Sequence, residues 1–186
     1  MNDKKVIEYF KKLIGNKNVL ISKWDKIPYS KGWRYGSGNT LAVVKPDKLS
    51  DIWKILQICV DKDIIVIMQA ANTGLTGGST PFGDDYDRPV IVINTMRINN
   101  IHIIKNGAQI VGLTGSTLYD LENKLKPYGR EPHSIIGSTS IGASIIGGIC
   151  NNAGGSLVQR GPSYTEMALF AKININGKLD LVNELG

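Results

Sequence analysis

Two glycine-rich stretches hold the residues that are best suited to bind an anion. The first is residues 69–80 (QAANTGLTGGST), and the second runs over residues 136–162. Glycine has no Cβ atom, so backbone N–H groups can approach a bulky ligand, and consecutive N–H groups bind phosphate oxygens without a lysine. Two such stretches, one in each half of the chain, predict a long ligand held at both ends, such as a dinucleotide.

The two common nucleotide-binding motifs are absent from the sequence. GxxxxGK[ST] does not occur, because the frame from Gly142 to Gly147 lacks the lysine. GxGxxG does not occur either, because Gly36-Ser37-Gly38 has no third glycine in place. The first stretch therefore indicates a phosphate loop of another kind. The alternative is that these glycines only form turns that need a positive φ, and that alternative remains open at this point.

The start of the chain predicts a helix followed by an irregular arm. Val6, Phe10 and Leu13 recur at helical spacing within residues 2–14, where Asp3 would cap the helix and Gly15 would end it. The arm covers residues 24–39, which are rich in Gly, Tyr, Trp and Ser. Together these residues form a predicted N-terminal region, 1–38.

The next elements predict a parallel βαβ unit. Residues 41–44 and 64–68 are short apolar runs typical of buried strands, and helical spacing recurs over residues 49–59. Asp47 or Ser50 would cap this helix. A strand, a helix and a second strand with short joints imply that the two strands are parallel.

The pattern changes near residue 95. Residues 90–93 predict a third buried strand, and after it two hairpins are expected around Asn106-Gly107 and Asn176-Gly177, with strands at 98–104, 108–113, 167–175 and 178–182. A helix over residues 117–126, ended by Pro127 or Gly129, lies between the two hairpins. We therefore predict an α+β fold, in which a small parallel subdomain (about 39–95) precedes a larger, mainly antiparallel subdomain (about 96–186).

Composition narrows the function only slightly. Lys and Arg exceed Asp and Glu by 22 to 16 among the 186 residues, but the charges are scattered and favour a solvated surface over a nucleic-acid site. No apolar run approaches the roughly 18 residues that span a bilayer, and residues 1–20 lack a signal peptide's apolar core, so we expect a cytoplasmic protein. Cys59 and Cys150 lack CxxC spacing, so we expect two buried reduced thiols and no metal site.

Several long segments resemble, in order, the FAD-binding domain of the vanillyl-alcohol oxidase and p-cresol methylhydroxylase family. They are residues 68–79, 90–94, 97–101, 115–119, 126–134 (KPYGREPHS), 141–148 (IGASIIGG) and 148–162 (GICNNAGGSLVQRGP). The resemblance extends over nearly the whole chain from Lys31 onward. It implies the PCMH-type FAD-binding fold for residues 39–186, with FAD as the cofactor.

The resemblance also implies which residues bind the cofactor. Residues of the first stretch would wrap the FAD diphosphate, and residues of the second would lie along the ribityl chain and the flavin, where a flat ring passes close to the backbone. In chain order these residues are Ala70, Ala71, Asn72, Thr73, Gly74, Gly78, Ser79, Gly137, Ser144 and Gly154. Many family members tether the flavin through a histidine of the first loop, and residues 69–80 contain none, so the FAD is expected to be non-covalent.

The family members that this chain resembles imply a respiratory dehydrogenase. It would oxidise D-lactate to pyruvate and pass electrons to membrane quinone, lying peripherally on an anionic membrane surface at the cytoplasmic side of a bacterial inner membrane. No catalytic residue is assigned, because the family's substrate groups come largely from segments that this chain, taken as an N-terminal fragment, lacks. The alternatives are a flavoenzyme for another 2-hydroxy acid or a sugar lactone, and an FAD-binding module that is catalytically incomplete.

The two histidines, His102 and His133, have different expected environments. His102 falls in a predicted hairpin strand and is expected to be an ordinary, partly exposed side chain. His133 lies where the resemblance places the flavin nearby, so it is either a contact of cofactor or substrate or a simple turn residue.

Overall fold

The computed structural model describes residues 3–133, 135–154, 159 and 168–184. The chain divides into two compact units. The first consists of Met1–Gln69, Gly74–Asn94 and Glu166–Gly186, and the second of Ala70–Thr73 and Thr95–Thr165. The chain therefore leaves the first unit at Ala70, inside the first glycine-rich stretch, and returns to it at Gly74.

A four-stranded sheet forms the centre of the first unit. Its strands are β1 (Val19–Leu20), β2 (Ala42–Val44), β3 (Ile65–Gln69) and β4 (Val90–Asn94), in the spatial order β1-β2-β4-β3. β4 pairs in parallel with β2 and with β3, whereas β1 is antiparallel to β2. Every residue of β2 and β4 is buried, which explains their unbroken apolar sequences. The predicted parallel strands are confirmed, with β4 lying between β2 and β3.

Three helices belong to the first unit: α1 (Asp3–Ile14), α2 (Lys23–Ser30) and α3 (Leu49–Asp61). α1 buries Val6 and Phe10 and ends where predicted, because Gly15 follows it with a φ of 85°. The predicted cap of α3 is wrong. Lys48 occupies the N-cap position and makes no side-chain capping bond.

The predicted irregular arm is partly wrong, because α2 forms its first part. Sequence periodicity did not indicate this helix, since none of its residues is buried and Pro28 lies inside it. Lys26 attaches the helix to the sheet region by donating a hydrogen bond to the Thr40 carbonyl. Partial burial there lowers the pKa of Lys26.

A second pair of strands, β7 (Leu169–Ile173) and β8 (Leu179–Asn183), forms the antiparallel hairpin expected around Asn176-Gly177. The turn closes with a 2.8 Å hydrogen bond from the Asn174 N–H to the Lys178 carbonyl. The sequence pattern grouped this hairpin with the second subdomain, whereas in the structure it belongs to the first unit, because α3 packs against β8.

The second unit pairs an antiparallel hairpin with two helices. The hairpin strands are β5 (Ile101–Ile104) and β6 (Gln109–Gly112), and the helices are α4 (Leu118–Leu125) and α5 (Ile145–Cys150). Leu118, Leu121 and Leu125, the predicted apolar face of α4, are buried. They form a core with Ile101, Ala143 and Ile145. Pro127 lies in a 3₁₀ turn after α4, and Gly129 ends that turn with a φ of 63°. Among the described residues, no helix is long and apolar enough to cross a membrane.

Candidate functional site

The first stretch starts at the end of an apolar strand. β3 ends at Gln69, whose side chain is buried although it is polar. The Gln69 Nε2 donates hydrogen bonds to the Ser79 carbonyl (2.7 Å) and to the Tyr29 carbonyl (2.9 Å). The sequence reading did not single out Gln69. The only signal was its type, an amide directly after an apolar strand and directly before the loop.

Some glycines of this region are explained by the chain's own packing. A Cβ atom at Gly77 would lie 3.0 Å from the Tyr35 carbonyl oxygen, and Gly77 has a φ of 78°. A Cβ atom at Gly36 would collide with the Thr80 side chain, and one at Gly38 would lie 2.5 Å from the Gly83 carbonyl oxygen. These three glycines let the arm and the end of the loop approach each other, so the fold alone requires them.

Gly74 and Gly78 have no such explanation. A Cβ atom at Gly74 would find its nearest neighbour, the Ser79 Oγ, at 4.0 Å, and one at Gly78 would find the Thr76 Oγ1 at 3.8 Å. Neither residue has a positive φ, and both are exposed. A Cβ atom at either position would therefore make only ordinary van der Waals contacts with the described residues, so packing within the fold does not require glycine there.

Residues 70–73 belong to the second unit and are half-buried. Asn72 adopts a left-handed backbone with a φ of 56°, an arrangement that is uncommon outside glycine and for which asparagine is enriched. Within the same unit, a Cβ atom at Gly142 would lie 3.8 Å from the Ala71 Cβ, in ordinary van der Waals contact. The two glycine-rich stretches thus come together where Ala71 meets Gly142.

The second stretch also contains glycines with open space beside them. Cβ atoms at Gly137, Gly148 and Gly154 would have no heavy atom of the described residues within 4 Å. Of these three glycines, only Gly148 lies in a helix, α5. Residues 155–158 and 160–162 of this stretch lie outside the described residues, as does Ser134. The described part therefore offers backbone that a flat group could approach closely.

Ser144 is buried, and its side chain already makes a hydrogen bond within the chain. Its side chain accepts a 3.0 Å hydrogen bond from the Gly147 N–H and so caps α5. The backbone that follows Ser144 is also held in place, because the Ile145 N–H donates a hydrogen bond to the Ser116 carbonyl at 2.8 Å. Ser144 thus fixes where α5 begins within the second stretch.

The histidines and cysteines are placed as follows. His102 is exposed on β5, opposite Val111, and His133 is also exposed. Cys59 is buried, which raises the pKa of its thiol to about 12. The expectation of two buried thiols is wrong for Cys150, which is exposed because it is the last residue of the short helix α5.

The comparison with protein-family models matches residues 40–173 to a family described as "FAD binding domain". The chain is 56% identical over 186 residues to the quinone-dependent D-lactate dehydrogenase of Haemophilus influenzae, a match that covers 100% of this chain and 33% of that protein. The chain thus spans about a third of the length of the curated relatives it matches.

Solved structures support the same fold at low sequence identity. An alkyldihydroxyacetonephosphate synthase superposes with a TM-score of 0.80 at 12% identity, covering 99% of this chain and 36% of that chain. p-Cresol methylhydroxylase superposes with a TM-score of 0.67 at 16% identity, covering 96% of this chain and 35% of that chain. The expected PCMH-type α+β fold is confirmed.

Proposed function

Since the chain belongs to the FAD binding domain family, we propose that it is the flavin-binding part of a respiratory D-lactate dehydrogenase. The single observation that carries this proposal is the 56% identity over the full chain to a quinone-dependent D-lactate dehydrogenase. D-lactate would lose a hydride from C2 and a proton from its hydroxyl to become pyruvate, and quinone would accept the two electrons. Bound FAD supplies the hydride acceptor, and the protein orients it.

We place the FAD diphosphate on the first stretch, along Ala70, Ala71, Asn72, Thr73, Gly74, Gly78 and Ser79. The open space beside Gly74 and Gly78 supports this placement, because the fold itself does not require glycine at either position. Backbone N–H groups there would stabilise the diphosphate charge. No histidine occurs in residues 69–80, so the FAD is proposed to be bound without a covalent tether.

We place the ribityl chain and the flavin along the second stretch, at Gly137, Ser144 and Gly154. The support is again the open backbone, now at Gly137 and Gly154, together with the cap through which Ser144 fixes the start of α5. These residues would bind and orient the ring and would not take part in proton transfer. A general base for the lactate hydroxyl is not assigned to any described residue.

We also propose that the protein contacts an anionic membrane surface peripherally, on the cytoplasmic side where quinone-linked respiration would use it. On α2, Trp24 and Ile27 are exposed, the helix begins at the exposed Lys23, and the chain carries a net charge of +6. Exposed aromatic side chains flanked by lysines suit the headgroup layer of a bilayer. Sedimentation with vesicles that contain anionic lipid, but not with neutral vesicles, is the expected result.

Gly74→Val tests the diphosphate site. The valine side chain would enter the proposed cradle, so we expect the dissociation constant for FAD to rise at least a hundredfold, measured by the fluorescence of free flavin. The melting temperature of the FAD-free protein should stay within a few degrees of wild type, because among the described residues the nearest atom to a Cβ there is the Ser79 Oγ at 4.0 Å. Leu75→Val, a change of an exposed neighbour, is the matched control and should retain FAD. Unchanged FAD affinity in Gly74→Val would overturn the placement.

The substrate is tested without oxygen on the FAD-loaded full-length protein, because this chain spans about a third of the length of its curated relatives. D-lactate should bleach the flavin absorbance, and L-lactate should not. If a different 2-hydroxy acid or a sugar lactone bleaches it instead, the alternative flavoenzyme is correct. If no substrate bleaches a stably bound flavin, the protein is an FAD-binding module and the dehydrogenase proposal fails.

A further inference from the structure

Gln69 is a buried amide with partners on three separate segments of the first unit. Only 2% of its surface is exposed. Its Nε2 donates to the Ser79 and Tyr29 carbonyls, and its Oε1 accepts a 3.3 Å hydrogen bond from the Asn94 Nδ2. The Tyr29 and Ser79 carbonyls can only accept hydrogen bonds, so the Nε2 must face them and the Oε1 faces the Asn94 amide. A buried polar group with this set of partners specifies one arrangement of the chain around it.

The bond to Ser79 joins the two ends of the glycine-rich loop. Gln69 is the last residue of β3, and Ser79 closes the run of residues 70–78 that follows it. A loop containing several open glycines has large conformational freedom, which a ligand would otherwise have to remove on binding. One short side-chain bond across the base of the loop reduces that freedom before any ligand arrives.

The bond to Tyr29 holds the same amide from the other side. Tyr29 lies near the end of α2, and the Lys45 ammonium sits 5.5 Å from the centre of its ring. Asn94 is the last residue of β4, an interior strand of the sheet. Gln69 therefore connects the loop to a helix and to a strand whose residues are all buried.

We propose that Gln69 is a positioning residue for the FAD diphosphate, which sets FAD affinity by holding the ends of the loop in the binding geometry. This inference rests on the proposed placement of the diphosphate on residues 70–79. Gln69 does not itself need to touch the cofactor, because its hydrogen-bonding atoms are used within the chain.

Gln69→Glu is the sharpest test, because the carboxylate has the same shape but cannot donate to the two carbonyls. We expect the FAD dissociation constant to rise at least tenfold. ADP, which carries the same diphosphate, should lose affinity by a similar factor when it is used as a competitor. Gln57→Glu makes the same charge change at an exposed position of α3 and should leave both constants unchanged.

A purely structural role is separated by measuring the FAD-free protein. If Gln69→Glu lowers only its melting temperature and the folded protein binds FAD as wild type does, the positioning role is overturned. If Gln69→Glu does not fold, Gln69→Met, which removes the hydrogen bonds without adding charge, takes its place under the same criterion. If Gly74→Val retains FAD, the placement of the diphosphate fails. If Gly74→Val loses FAD and the Gln69 variants retain it, only the role of Gln69 fails.

Discussion

Two groups of glycines in this molecule differ in what makes glycine necessary. Where residues 36–38 meet residues 77–83, a Cβ atom would collide with backbone or side chain, as at Gly36 and Gly38. At Gly74, Gly78 and Gly148, a Cβ atom would meet no atom of the described residues closer than 3.8 Å. The crowded group is explained by the fold, and the open group is not. The difference separates glycines that the fold requires from glycines that we propose leave room for a ligand.

Adjacent glycines of the same loop can fall into different groups. Gly77 and Gly78 are neighbours in the sequence, yet Gly77 is crowded by Tyr35 and Gly78 is free of contacts that would exclude a side chain. Packing within the fold therefore requires glycine at Gly77 but not at Gly78. Substitutions at the two groups should divide cleanly between loss of stability and loss of FAD affinity.

The largest loss of stability is expected for Gly38→Ala, a substitution in the crowded group of glycines. The new Cβ would lie 2.5 Å from the Gly83 carbonyl oxygen and 2.8 Å from the Gly83 nitrogen, and backbone cannot move aside as a side chain can. We expect the free energy of unfolding in urea to fall by about 2–3 kcal/mol. Gly78→Ala is the control and should change it by less than about 0.5 kcal/mol. Equal stability of the two variants would refute the division.

A smaller effect of opposite sign is expected for Gly148→Ala. Gly148 lies inside α5, and alanine is the better helix former by up to about 1 kcal/mol. The FAD-free protein should therefore become slightly more stable, whereas FAD should bind more weakly because the methyl group takes space along the second stretch. Thermal unfolding with and without FAD measures both. A variant that gains stability and keeps full FAD affinity would place the flavin elsewhere.

Chemical labelling of the two thiols perturbs the protein least, because it needs no substitution. Burial raises the pKa of Cys59 to about 12, so at pH 8 its reactive thiolate is scarce, and the side chain is also inaccessible. Cys150, exposed in the second stretch, should react first, giving one fast thiol per native chain with a chromogenic disulfide. Saturating FAD should slow that reaction. An unchanged rate would show that the cofactor leaves Cys150 uncovered.

Much of the fold could be predicted because buried segments carry strong patterns. β2, β3, β4, α3, α4 and the two hairpins follow from apolar runs, helical spacing and Asn-Gly turns. α2 could not be predicted, since a helix with no buried residue has no periodicity, and β1 is only two residues long. The exposure of Cys150 depends on where a six-residue helix ends, which its composition does not reveal.

The sequence indicated candidate residues for a ligand site, and whether they bind a ligand stays a prediction. The sequence indicated a phosphate loop, but it did not distinguish crowded from open glycines, because that distinction depends on residues 35–38, which pack against the loop from elsewhere in the chain. The role of Gln69 could not be predicted from the sequence for the same reason. Its partners Tyr29, Ser79 and Asn94 are brought together only by the fold.

The strand order β1-β2-β4-β3 has a consequence for synthesis on the ribosome. β2 and β3 are made first, but each pairs with β4 and not with the other, so neither has its parallel partner until residues 90–94 have emerged. Asn94, which orients the Gln69 amide, emerges at the same moment. A nascent chain that pauses earlier exposes two apolar strands to chaperones or to aggregation. The four-stranded sheet and the base of the loop are therefore completed together, by the last strand of that sheet to be translated.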